Sequence, residues 1–66
     1  MEYKYYTLYR PPMIGCQPSK GLLRVEDYGQ RKRVTERTTA WGEVVYDRPL
    51  TEAEISDYEL LKKGIG

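Results

Sequence analysis

The sequence predicts an α+β domain: a twisted antiparallel sheet of about four strands with one C-terminal helix packed on one face, in the order β-β-β-β-α, assembled as an oligomer. Three observations carry this expectation. Stretches rich in Tyr, Val, Thr and Trp recur between turn-forming Gly and Pro residues over residues 1–47. Residues 51–64 carry the start, stop and charge order of a helix. Finally, 66 residues with one cysteine and no histidine lack the disulfide and zinc supports of small domains. Self-association is the remaining common support.

The elements follow in chain order, within a single domain spanning residues 1–66. Tyr3-Lys4-Tyr5-Tyr6-Thr7-Leu8-Tyr9, with Arg10, is the first strand, dense in residues that suit a pleated surface. Both faces carry aromatic or apolar groups, so one is expected on the core and the other exposed or covered by a second chain. Pro11 and Pro12 end it, because proline has no N–H for a ladder bond. Residues 11–21 hold three of the four prolines and two glycines and read as a loop, with Met13 and Ile14 tucked against the sheet. Leu22–Tyr28 is the second strand, and Gly29-Gln30 is a turn into a third, Arg31–Arg37, with only Val34 to bury. Residues 40–47 form the fourth, in which Gly42 marks a bulge or a close approach by another backbone.

A helix is expected over residues 51–63. Thr51 is a natural N-cap, and Glu54 three residues later completes a capping box. Leu50 and Ile55 form a hydrophobic staple across that start. Acids crowd the first turn, Lys62 and Lys63 fill the last, and Gly64 supplies the stop. Ile55, Tyr58 and Leu61 or Lys62 share the buried face.

The net charge of +1 hides a division. Residues 1–42 carry eight basic and four acidic side chains, whereas residues 43–66 carry three and six. Such an asymmetry lets one part meet polyanions, although ordinary solubility charge gives the same count. No run approaches the roughly 20 apolar residues of a membrane span. Met1-Glu2-Tyr3-Lys4 lacks the basic start and apolar run of a secretion signal. The expectation is a cytoplasmic protein of a bacterial-type cell, with no membrane partner. Seven Tyr and one Trp without any Phe suit half-exposed and interface positions.

Chemistry concentrates in two places. On a strand, Arg31, Arg33, Thr35 and Arg37 would share one face at about 6.6 Å spacing, close to the step between phosphates of an extended single strand. With Lys32, they form a candidate backbone-tracking surface, and Tyr3, Tyr5 or Tyr6 are candidate stacking platforms. The same basicity also protects an edge strand from unwanted pairing. Glu26 and Asp27 are candidate catalytic carboxylates: converging acids can hold Mg²⁺, polarise a phosphodiester and activate water. Turn-forming, solvating acids are the plainer account. No metal site is assigned, and binding requires no cofactor. Cys16 has no histidine to activate it and reads as a bystander thiol.

Arg10-Pro11-Pro12, Gly15 and Gln17-Pro18 lead one set of recognisable words. Trp41-Gly42-x-Val44-x-Tyr46-x-Arg48-x-Leu50 and Glu54-x-x-x-Tyr58-Glu59-Leu60 follow. Together they resemble a small domain of phage and mobile-element proteins found in clostridial and other gut bacteria, similar to the C-terminal region of phage defence-against-restriction proteins. Residues 20–40 lie outside that pattern. In element order the chain also resembles the single-stranded-DNA-binding fold of the coactivator positive cofactor four, a fold that small clostridial anti-CRISPR proteins share. These resemblances imply a symmetric oligomer, DNA contacts from the sheet and a role against host defence.

Together the residues and the resemblances lead to a counter-defence protein, anti-CRISPR or anti-restriction. It would bind nucleic acid, DNA above RNA, through Arg31, Lys32, Arg33 and Arg37 as a homodimer or tetramer. Two alternatives stand beside it. One is a Mg²⁺-dependent nickase of supercoiled DNA using Glu26 and Asp27. The other is an interaction module that blocks a host defence nuclease through its acidic helix or tyrosine face.

Overall fold

The computed structural model describes residues 1–65. The chain is α+β: a four-stranded antiparallel sheet with one short helix. Its strands are β1 (Tyr3–Thr7), β2 (Leu22–Arg33), β3 (Thr39–Tyr46) and β4 (Leu60–Ile65), and α1 (Glu52–Asp57) lies between β3 and β4. Across the sheet the order is β2-β3-β1-β4. The class matches the sequence reading, but the chain order is β-β-β-α-β, because two of the expected strands are one and the fourth strand lies beyond the helix.

The first correction is at Gly29-Gln30. The chain does not reverse there; residues on both sides of it pair with β3, Asp27 opposite Gly42 and Lys32 opposite Ala40. Between those pairs, Tyr28–Arg31 stand opposite Trp41 alone, so the predicted turn is a wide bulge within one long edge strand. Gly29 supplies the required positive φ of 75°, and its N–H donates to the Asp27 carboxylate at 2.8 Å. Local turn chemistry is present, but continued pairing with β3 fixes the chain's direction. The reversal comes later, at Val34–Thr38, where the Val34 N–H donates to the Thr38 carbonyl at 2.9 Å.

The second correction is at the helix end. Thr51 caps α1 as expected: its hydroxyl accepts the Glu54 N–H at 3.1 Å, and the Glu54 carboxylate accepts the Thr51 N–H at 3.0 Å. The helix nevertheless stops at Asp57 rather than running to residue 63. Glu59 turns the corner at φ 55°, and Leu60–Ile65 pair with β1. Without this strand, β1 would be an edge; with it, β1 is central and Leu60 enters the core. Long-range pairing therefore outweighs the local helical preference of residues 58–63. β1 also ends at Thr7 rather than Arg10, since Thr7 faces Leu60, the first residue of β4. β3 is displaced by only one residue from its expected bounds.

The core unites Tyr5, Val44, Tyr46, Leu50 and Leu60, with Tyr3, Leu22, Ile55 and Tyr58 packed around it. Tyr5 and Tyr46 meet edge to face, with ring centroids 6.0 Å apart at 74°. Each directs its hydroxyl to a connecting segment. The Tyr46 hydroxyl donates to the Pro18 carbonyl at 2.5 Å, and that of Tyr5 accepts the Leu50 N–H at 2.8 Å. Phenylalanine would fill the same space but leave these backbone groups without partners, so here tyrosine serves a core that anchors its own loops. The long loop is further held by Pro12 against Gly42 and by the Asp47 N–H donating to the Gly21 carbonyl at 2.9 Å. Its tip departs from expectation: Met13 and Ile14 are exposed, not tucked against the sheet. A turn closed by the Cys16 N–H on the Met13 carbonyl projects them outward.

Candidate nucleic-acid interface

Arg31 closes the bulge and Lys32 and Arg33 form the last limb of β2, while Arg37 sits in the hairpin loop that follows. Thr35 and Arg37 are therefore not on a strand, and the single extended face Arg31-Arg33-Thr35-Arg37 does not form. The loop closes locally instead: the Thr35 N–H donates to the Thr38 carbonyl at 3.2 Å, and the Arg37 N–H to the Thr35 hydroxyl at 3.3 Å. This folding brings Arg31 and Arg37 together on a shallow cleft of about 240 Å³, lined also by Leu8, Tyr9, Thr38 and Thr39. Lys32 lies elsewhere, its Nζ 5.1 Å from the ring centroid of Tyr28.

Among the described residues, ion pairs hold four cations elsewhere on the surface and none on this hairpin, while the unpaired Lys4, Lys20 and Lys62 lie apart from it. Arg10 pairs with Glu59, Arg24 with Glu2, Arg48 with Glu54 and Lys63 with Glu43. Among the described residues, Arg31, Lys32, Arg33 and Arg37 have no ion-pair partner, and all four are exposed. Glu36 is the one acidic residue between positions 31 and 37. A small tip with this imbalance presents its positive field to solvent rather than to its own acids.

The sheet face away from the helix differs. A larger cleft of about 330 Å³ is lined there by Lys4, Arg24, Val25, Glu26, Glu43, Val45 and Lys63. Most of its charges are already matched. Arg24 grips Glu2 bidentately at 2.7 and 2.8 Å, and Lys63 donates to Glu43 at 2.9 Å. Tyr28 donates to the other Glu43 oxygen at 2.8 Å. Burial pushes the Glu43 carboxyl up, but the hydrogen bonds from Lys63 and Tyr28 outweigh it and hold the group below its ordinary value. Burial, reinforced by Glu43, pushes the Tyr28 phenol upward. This face is a compensated network, not a basic groove.

The remaining sequence candidates fall in separate places. Tyr5 is only 1% exposed and cannot offer its ring to a base; its place is the core. Tyr3 packs against that core, and Tyr6 lies under Lys63, whose Nζ is 5.6 Å from its ring centroid. Glu26 and Asp27 do not converge. They are successive on one regular stretch of β2, so they face opposite sides of the sheet, Glu26 opposite Glu43 and Asp27 opposite Gly42. Among the described residues, no three acidic or cysteine side chains gather as a metal cage would require. Tyr9, not singled out from the sequence, lines the cleft with Arg31 and Arg37 and is exposed. The Pro11-Pro12 stop, a few residues after Thr7, was the signal that the chain leaves the sheet near Tyr9 and exposes its ring.

The family model for the C-terminal part of defence against restriction A matches residues 1–64. The chain belongs to that family. The defence-against-restriction A C-terminal family thus includes the hairpin as well as the flanking words, Arg10-Pro11-Pro12 and Trp41 through Leu50, that carried the resemblance. It places the chain among anti-restriction, defence-related proteins. No curated protein and no solved structure matches the chain. The likeness to positive cofactor four rested on four strands followed by a helix; this family member instead has its helix before the last strand. Among its described residues no helix is long and apolar enough to cross a membrane.

Proposed function

We propose that this chain is a counter-defence protein that binds nucleic acid through the β2–β3 hairpin. One observation carries the reading: among the described residues, four exposed cations without acidic partners, Arg31, Lys32, Arg33 and Arg37, cluster on one hairpin. The other unpaired cations, Lys4, Lys20 and Lys62, lie singly, and Arg10, Arg24, Arg48 and Lys63 are paired. Unpaired guanidinium groups are suited to phosphate oxygens, which they grip in a planar, bidentate manner. Membership of an anti-restriction family supports a setting in which nucleic acid is the contested substrate. DNA is the favoured form, and no cofactor is required for binding of this kind. Fluorescence anisotropy of labelled DNA at low salt tests the reading. Wild-type protein is expected to bind, and Arg31→Gln/Arg33→Gln/Arg37→Gln to bind at least tenfold more weakly. No binding by the wild type, or equal binding by both, overturns it.

A second reading rests on the loop tip, where Ile14 is fully exposed and Met13 is largely so. Apolar side chains projected on an anchored loop suit insertion into a pocket of a host defence nuclease. Co-elution with a nuclease in the absence of nucleic acid, lost in Met13→Ser/Ile14→Ser, supports this reading over the first. The acidic helix contributes less to such a surface, because Glu54 is already committed to Arg48.

A further inference from the structure

We propose that the cleft between Leu8–Tyr9 and the β2–β3 hairpin takes one nucleotide unit of a single strand, its phosphate on Arg31 and Arg37 and its base stacked on Tyr9. This inference rests on the nucleic-acid reading above and deepens it by naming the strandedness and the stacking residue.

Three features of the cleft support it. Its two cations come from different segments, β2 and the hairpin loop, and converge without acidic partners among the described residues. Tyr9 forms part of the same lining and is 68% exposed, so its ring is open to a ligand held by the two cations. The ring stands on an anchored segment, since the adjoining Arg10 pairs with Glu59. A cation pair beside an exposed aromatic face is the combination that holds a phosphate and a base together.

The open form of the cleft favours a strand over an enclosed free nucleotide. At about 240 Å³ it falls below the roughly 300–1,000 Å³ of sites that enclose a small molecule. A shallow cleft instead contacts one unit of a chain that continues past it in both directions. Stacking on Tyr9 requires a free base face, which a duplex does not present, so the ligand is single-stranded.

Anisotropy with three labelled ligands tests this: an oligothymidylate, an abasic strand of the same length and charge, and a duplex. Wild-type protein is expected to bind the oligothymidylate roughly tenfold more tightly than the abasic strand. Tyr9→Leu keeps an apolar side chain at an exposed position; it should remove that preference while leaving abasic and duplex binding unchanged. Arg31→Gln/Arg37→Gln should weaken binding to both single strands. Equal wild-type affinity for thymidylate and abasic strands overturns the cleft proposal and leaves the electrostatic reading of the hairpin intact. An unchanged preference in Tyr9→Leu, or equal weakening of duplex binding, also overturns it. Failure to bind any of the three ligands removes both readings.

Discussion

The hydroxyl of Tyr5 accepts the backbone N–H of Leu50 at 2.8 Å, both buried, joining the central strand to the segment that enters the helix. Neither group reaches water, so the bond is expensive to leave unmade. Tyr5→Phe keeps the ring's packing on Val44 and Tyr46 but strands the Leu50 donor. Chemical denaturation should show a loss of about 1–3 kcal/mol. A cost near zero would mean that the Leu50 N–H finds another acceptor.

Gly42 and Gly29 make a contrasting pair. A Cβ on Gly42 would stand 2.3 Å from the Glu26 carbonyl and 2.8 Å from Pro12, so Gly42→Ala forces β2 and the long loop apart. We expect a loss of about 3 kcal/mol. Gly29 has open space around it, and Gly29→Ala meets only the strain of a positive φ of 75°. That variant should lose about 1 kcal/mol. Paired thermal melts distinguish the two; equal losses would contradict the close packing at Gly42.

Glu54 provides a pH dependence. The hydrogen bonds from Arg48, reinforced by those at the Thr51 cap, lower its carboxyl from 4.5 to about 2. A depressed folded-state value means the stabilisation is complete above the unfolded value of about 4.5 and is lost as pH falls towards 2. Glu54→Gln keeps capping capacity but removes the charge. Its stability should therefore fall less steeply than that of the wild type between pH 4.5 and 2. Parallel acid limbs in the two proteins would show that the Arg48 pair contributes nothing in solution.

These relationships divide by how local they are, and so does what the sequence discloses. Thr51 and Glu54 lie three residues apart, and their capping box was legible. Gly42 reads as either a bulge or a close approach, and the Glu26 carbonyl lying 2.3 Å from where its Cβ would stand decides for the second. The helix end was not legible, because Leu60 answers to Thr7, a residue far away in the chain. Gly29 was read as a turn because its local chemistry is that of a turn; only pairing with β3 on both sides makes it a bulge. The basic residues of the hairpin were visible in composition. Their arrangement was not, since the meeting of Arg31, Arg37 and Tyr9 depends on where the chain leaves β1 and reverses after β2.

The salt dependence of DNA binding tests the central claim most directly. Unpaired cations that meet phosphates release counterions, and each contact steepens the fall of log affinity with log salt by about 0.7–0.9. Arg31→Gln/Arg33→Gln/Arg37→Gln should therefore flatten the slope by about 2–3 relative to the wild type. Arg24→Gln, which removes a cation already paired with Glu2, should leave it nearly unchanged. Identical slopes for wild type and the hairpin variant, or a larger change from Arg24→Gln, would contradict the account.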